Sequence, residues 1–332
     1  MQHTNEQTPE ALAAPWEEVA ECGACGSRDV RFSSAIGRRR FAVCRGCGIE
    51  RLYDRVAETR LDLLYGTYYA PDDPSPLALE QQLRNPTFAY RQRRLHQFAG
   101  NRTRRILEIG CGDGNFLETL RRHGWDVHGQ EVSASTAAIV ERRHGIPVTA
   151  GALETVPSAH SFPVVAAYHV FEHIYHPATW LKSVHRLIEP GGLLHVQVPN
   201  AGSLTRRLSG GEWASLVFPQ HVYFYEPRTL SGLLERFGFK VLAHTTYDPW
   251  HGPGAVSATA TNVVNRIVTG RHAWSEMVLA TSTPSPDCAP PRTRSPIKAA
   301  VRTGLDYTSI ILARLEAAID RGAVVDIIAQ RE

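Results

Sequence analysis

Four of the six cysteines stand in two Cys-x-x-Cys pairs, Cys22/Cys25 and Cys44/Cys47, with 18 residues between the pairs. Two tight turns can gather thiolates at that spacing around one tetrahedral ion, and zinc is the ion such a set selects. Gly23, Gly26, Gly46 and Gly48 supply the backbone freedom of the turns, while Val30–Phe32 and Arg40–Val43 can form the hairpin between them. A closed set of four thiolates leaves no open coordination position, so the zinc expected here is structural. Arg38, Arg39, Arg40, Arg45 and Arg51 crowd the same segment. No aromatic ladder for base stacking accompanies them, and they read as a solvated face more readily than as a nucleic-acid clamp. Cys111 and Cys288 carry no second motif and receive no chemical role.

A second concentration of chemistry runs from Ile106 to Leu117: an apolar strand, a turn with Gly110, Gly112 and Gly114, and the opening of a helix. Ligands approach backbone closely at such turns. A dinucleotide fingerprint would want a third glycine where Asn115 stands, and a pyrophosphate would be opposed by Glu108 and Asp113. A ligand carrying a cationic sulfonium and an amino group tolerates those charges. Glu131 ends the next strand, where a carboxylate can accept from both hydroxyls of a ribose. Three histidines, His169, His173 and His221, with Tyr168 and Glu172 beside them, fall near expected strand ends and are candidate bases.

The elements that must position these groups follow from texture. At 332 residues, 43% hydrophobic and 21% charged, the chain can bury one sizeable core and a smaller module or two. Its formal charge of +3 argues for no polyanionic partner. The first twenty residues lack a basic start with an apolar run, and no stretch approaches ~18 uninterrupted apolar residues. A cytoplasmic protein without a membrane span is the expectation. Residues 1–20 read as a loose tail, 21–52 as a zinc ribbon, and 53–100 as a connector that could cover a cleft, with Tyr65, Tyr68 and Tyr69, breakers at Pro71, Pro74 and Pro76, and a helix near 86–99. From Arg105 apolar runs alternate with helical patterns: strands at Arg105–Ile109, Trp125–Gln130, Val164–His169, Leu193–Val198 and Lys240–His244, helices at Asn115–His123, Ser135–His144, Pro177–Ile188 and Thr229–Phe237. That alternation predicts a doubly wound α/β domain over 101–249. An insertion over 250–320 interrupts it, with helices near 258–269 and 297–320 around a Pro/Ser-rich run at Thr283–Pro286, Pro290 and Pro291. Ala323–Ala329 then supplies a nearly continuous β-branched run, broken by Asp326, and 321–332 is expected to rejoin the sheet antiparallel beside Lys240–His244.

Glu108–Gly114 (EIGCGDG) resembles the first motif of class I S-adenosylmethionine (SAM)-dependent methyltransferases. Tyr168–Pro177 (YHVFEHIYHP), Glu189–Asn200 (EPGGLLHVQVPN), His221–Pro227 (HVYFYEP) and Leu230–Phe239 are similar to later motifs of the ubiquinone-methyltransferase-like subgroup. The ribbon followed by Leu64, Tyr65, Tyr68 and Tyr69 resembles bacterial members of that subgroup, including sugar methyltransferases. The resemblance implies a seven-stranded Rossmann-like sheet. It implies SAM held by Glu108, Gly110, Gly112 and Gly114 at the methionine end and by Glu131 at the ribose, with Leu153 and His169 completing the pocket. The family often has an aspartate for adenine where this chain has Gly151–Glu154, which leaves that contact to backbone groups or to Glu154. No Asn-Pro-Pro-Tyr-like motif follows the fourth strand. The acceptor implied is therefore an oxygen or carbon nucleophile of a small molecule, such as a sugar, lipid precursor or secondary metabolite. RNA methylation with the ribbon as clamp, and a SAM-binding module without turnover, are the alternatives.

Overall fold

The structure, a computed structural model, describes residues 15–61, 64, 76–83, 85–100, 104–157, 161–270, 272 and 308–332. Most of the N-terminal tail, Tyr65, Tyr68, Tyr69, Pro71, Pro74, the Pro/Ser-rich run, Cys288 and residues 297–307 of the last expected helix lie outside them.

Two small sheets build the N-terminal part. β1 (Trp16–Glu18) pairs with β5 (Asp54–Val56), and β2 (Val30–Ile36), β3 (Arg39–Cys44) and β4 (Glu50–Leu52) form an antiparallel meander. The reading of residues 1–20 as a loose tail needs correction at its end: Trp16 stacks on Phe218 at 5.8 Å and lies under the Arg39 guanidinium, contacts that no local pattern around it announces. Two helices follow, α1 (Pro76–Leu83) and α2 (Pro86–Ala99), the latter capped by the Asn85 side chain accepting from the Thr87 N–H.

The main sheet contains β6 (Arg105–Ile109), β7 (Asp126–Glu131), β8 (Val148–Ala150), β9 (Phe162–Tyr168) and β10 (Ile188–Pro199), all parallel. After the two-residue β11 (Tyr223–Phe224), it is completed by β12 (Phe239–Thr245) and β13 (Val324–Arg331). The strand order is β12-β13-β10-β9-β6-β7-β8. β13 runs antiparallel between β10 and β12, pairing Ile327 with Val196 on one side and with His244 on the other. The C-terminal run thus enters the sheet as expected and is flanked on both edges. Its side chains from Val324 to Ala329 are buried, consistent with its β-branched composition.

Helices cover both faces, as a mostly parallel sheet requires. On one face Ile106, Val164, Ala166 and Leu193 meet α2, α3 (Asn115–Arg122) and α4 (Ala134–His144). On the other, Leu107, Val165, Leu194 and Val196 meet α5 (Pro177–Leu187) and α7 (Pro227–Arg236), α6 (Leu204–Ser209) lying between these in the chain. Cys22, Phe41, Ile49 and Leu52 belong to that second core, and β11 pairs with β4. The cysteine-bearing meander is therefore packed on the main sheet through a strand from residue 223, a junction the sequence reading did not foresee. α8 (His251–Thr269) and a helix over 308–318, α9, complete the described chain. No helix among the described residues is long and apolar enough to cross a membrane.

Candidate functional site

The carboxyl ends of β6, β7 and β9 lie side by side, because these strands are parallel neighbours. Gly110, Gly112 and Gly114 follow β6 with φ of 65°, 53° and 73°, backbone that β-carbon-bearing residues rarely adopt. A side chain on Gly110 would also strike Val170, and one on Gly114 would strike Val140. Glu131, the last residue of β7, braces this loop: its carboxylate accepts from the Gly112 N–H at 3.1 Å and the Ser133 N–H at 3.0 Å.

Glu108 points from β6 to the α2 face and is buried, with one carboxyl oxygen lacking a hydrogen-bond partner. Burial raises its pKa to about 8 against the attraction of Arg91, and Asp113 and Glu131 push the same way. Arg91, buried on α2, stacks over Tyr168 at 3.9 Å and donates to Gln197 at 2.6 Å, yet its Nε has no partner. A buried carboxyl oxygen and a buried guanidinium N–H, each without a partner, offer an acceptor and a donor to a zwitterionic amino-acid moiety, such as the methionine end of SAM. Arg91 was not singled out in the sequence. Leu153 opens a short 3-10 turn after β8, but its side chain lies in the core, so only its backbone can face a purine. Glu154 accepts from the Ser183 hydroxyl on α5 at 3.3 Å and is turned to that helix.

Beyond β9 the structure brings the three expected histidines together. His169 has φ of 57°, unusual for a residue with a β-carbon, and its Nε2 is orphaned. Its Nδ1 lies 3.5 Å from a carboxyl oxygen of Glu172, in the 3-10 turn Phe171–His173. His221 Nε2 is 3.9 Å from the same oxygen, and the His173 and His221 rings meet edge to face at 4.6 Å. Each of that pair uses Nδ1 on a backbone carbonyl, of Gln220 and Ser215 respectively. Burial pushes all three imidazoles down and raises Glu172 to about 7, with neither of its carboxyl oxygens hydrogen-bonded. Of these four groups, burial moves only the Glu172 carboxyl toward neutrality and keeps the imidazoles neutral acceptors. Glu172, His173 and His221 also place one ligand atom each within 4.8 Å of one another, a spacing a divalent cation could bridge. Tyr168, in contrast, is turned into the sheet, where its hydroxyl meets His195 Nδ1 at 2.8 Å.

That contact belongs to a buried polar network absent from the sequence reading. His195 Nε2 faces Asp326 at 3.0 Å, Gln197 donates to Asp326 and Asp248, and Arg94 of α2 donates to Asp326. Its one sequence signal was polar residues at period two, His195 and Gln197, inside an apolar strand opposite the odd Asp326.

The four N-terminal cysteines converge. Cys22 and Cys47 sulfurs are 3.8 Å apart, Cys25 and Cys44 sulfurs 3.4 Å, and all four lie within 4.8 Å of one another. Sulfurs bound at ~2.3 Å to a tetrahedral zinc stand roughly 3.8 Å apart, so the donor set fits. Hydrogen bonding from Cys47 lowers Cys22 to about 5 and in turn raises Cys47. Gly26 and Gly48 take positive φ in the two turns, each N–H returning to the carbonyl of the pair's first cysteine.

Residues 82–244 match a methyltransferase-domain family. A Mycolicibacterium smegmatis protein described as "Probable S-adenosylmethionine-dependent methyltransferase" is 30% identical over 171 residues, covering 51% of this chain and 63% of its own. The ubiquinone biosynthesis O-methyltransferase of Maricaulis maris is 34% identical over 122 residues, 33% of this chain and 46% of its own. The chain thus spans about half to just under two thirds of the length of these curated relatives. In fold it is similar to phosphoethanolamine N-methyltransferase 2 of Haemonchus contortus, with a TM-score of 0.50 at 17% identity, covering 84% of this chain and 62% of that one. Through residues 82–244 the chain thus matches a methyltransferase-domain family and is similar to SAM-dependent methyltransferases.

Proposed function

We propose that this chain transfers a methyl group from SAM to an oxygen or carbon nucleophile of a small molecule, such as a sugar, lipid precursor or secondary metabolite. The observation that carries the reading is the pairing of the braced loop Gly110–Gly114 with two buried orphans, Glu108 Oε2 and Arg91 Nε, at the carboxyl end of the first parallel strand. Glu108 would take the amino group, Arg91 the carboxylate and Glu131 the ribose, with the Leu153 backbone beside the adenine. SAM supplies a methyl group activated by its sulfonium. The chain's own task is then to align the acceptor, exclude water and remove a proton where the nucleophile carries one. His169, His173 and His221, gathered around Glu172 beyond β9, are the first candidates to hold that proton. The relatives named as O-methyltransferases favour an oxygen nucleophile. Zinc on Cys22, Cys25, Cys44 and Cys47 would hold the ribbon turns against the sheet, in a cytoplasm that keeps the thiols reduced.

Calorimetry with SAM and with its demethylated product S-adenosylhomocysteine (SAH) tests the reading, followed by SAH release with metabolites retained on the purified protein as acceptors. Saturable binding and release of SAH above the acceptor-free rate are expected. Protein that binds neither compound would contradict the proposal.

A further inference from the structure

One more imidazole, from the segment that follows β12, reaches His169. After β12 the chain turns through Asp248 into α8, whose first residue is His251. Asp248 is fully buried. One of its oxygens accepts from the N–H groups of Trp250 and His251, at 2.8 and 2.6 Å, and from the Thr87 hydroxyl of α2 at 2.8 Å. The other accepts from Gln197 of β10 at 3.2 Å. Burial works against its ionisation, but the hydrogen bond and charge of His251, with Arg91 behind them, hold the carboxyl below its usual range. His251 Nδ1 lies 3.2 Å from this anchored carboxylate. Nδ1 must therefore carry the hydrogen, which leaves the Nε2 lone pair pointing away from Asp248. The ring lies against that of His169, centroids 4.4 Å apart, and its side chain keeps 38% exposure.

The other imidazoles lack this support. His173 and His221 spend Nδ1 on carbonyls, and the carboxyl they share with His169 is Glu172, itself raised to about 7. Among the described residues around His169, only His251 stands on a carboxylate held ionised. A base oriented and charged by a second group is the arrangement that makes an imidazole an effective proton acceptor.

We propose that His251 is the general base for an acceptor hydroxyl and that Asp248 is its positioning residue. This rests on the methyl-transfer reading and narrows it to an alcohol or phenol oxygen. The acceptor O–H bond breaks and its proton passes to His251 Nε2. The freed oxygen pair bonds the methyl carbon while the carbon–sulfur bond breaks, its electron pair staying on sulfur. The products are a methyl ether, neutral SAH and an imidazolium paired with Asp248. Among the described residues, the charged and titratable groups around the pair include Tyr90 and Arg91 on α2, His169 after β9 and Glu172 in the turn beyond it.

The test uses the full chain as parent, His251→Asn and Asp248→Asn, with catechol and 4-nitrocatechol as probe acceptors. SAM affinity by calorimetry reads the underlying function and should be alike in all three. A parent that binds no SAM overturns that function, and this role with it. NMR of histidine-labelled protein with SAH bound should show His251 as the Nδ1–H tautomer in the parent and lose that preference in Asp248→Asn. This readout stands whether or not either probe is turned over. SAH release by the parent should fall toward acid pH, and that acid limb should vanish in His251→Asn. In His251→Asn, release with catechol should drop about 10²–10⁴-fold at unchanged KM, and less with the more acidic 4-nitrocatechol. With SAM binding intact, an Nε2–H tautomer in the parent, or an acid limb surviving His251→Asn, overturns the proposal for His251 alone.

Discussion

Removing Ala323–Glu332 should unfold the methyltransferase sheet, although ten residues at a chain end look like a dispensable tail. Val324, Val325, Ile327 and Ile328 are at most 2% exposed. Burying each such side chain is worth about 1.5–3 kcal/mol, so the four supply roughly 6–12 kcal/mol. Whole domains are stable by only about 5–15 kcal/mol. The deletion also strips both β10 and β12 of their shared partner and removes Asp326, leaving His195, Gln197 and Arg94 facing an uncompensated space. Each buried polar group left unpaired costs about 1–3 kcal/mol more. Circular dichroism and thermal melting of the truncated chain should show no cooperative transition, and calorimetry no SAM binding. As a graded control, Ile327→Ala should fold with a stability loss of about 2–5 kcal/mol. A truncated protein that stayed soluble, kept the parent melting temperature and bound SAM normally would refute this assignment of β13.

Elemental analysis should find one zinc per chain in protein purified without chelator, and Cys44→Ser should release it, since a structural zinc of this kind contributes about 10–16 kcal/mol in small peptides; metal-free parent protein would refute the site. Gly112→Val places a β-branched residue at φ of 53° in the braced loop, so its loss of SAM affinity by calorimetry should exceed that of Glu131→Ala. Glu108 binds a proton more tightly folded, at about 8, than unfolded, near 4.5, so the stability it contributes is complete below about 4.5 and is lost as pH rises through 8. Melting temperatures of ligand-free Glu108→Gln should accordingly fall less than those of the parent between pH 6 and 9, and parallel curves would contradict the buried-acid reading.

The parts of the fold carried by local periodicity were legible. β6 matches its expected bounds, and α2, α3 and α5 begin at the expected residue because proline or the glycine turn marks each start. What escaped was set by partners far away in the chain. β8, three residues long, and β11, two, are too short to show a period. β1 exists because Asp54–Val56 pairs with it and Phe218 covers Trp16. α8 begins seven residues before the expected 258, since Gly252 packs against Ala313 of α9 and Asp248 caps the first turn, overriding the poor propensity of Gly252, Pro253 and Gly254. In the site, the glycines, Glu108, Glu131 and the histidines near β9 were visible as motifs on contiguous segments. Arg91, Asp248, His251 and the His195–Asp326 contact were not, because four separate elements converge only after the sheet has formed.

Calorimetric titration of SAM into the parent and into Glu131→Ala tests the central claim most directly, that the loop and side chains at the ends of β6, β7 and β9 hold SAM. Glu131 also braces the Gly112 N–H, so its loss should remove charge-assisted hydrogen bonds worth about 1.5–3 kcal/mol. That converts to affinity roughly tenfold to a hundredfold weaker than in a parent that binds one SAM per chain. Equal affinity in the two proteins, or no binding by the parent, would contradict the account.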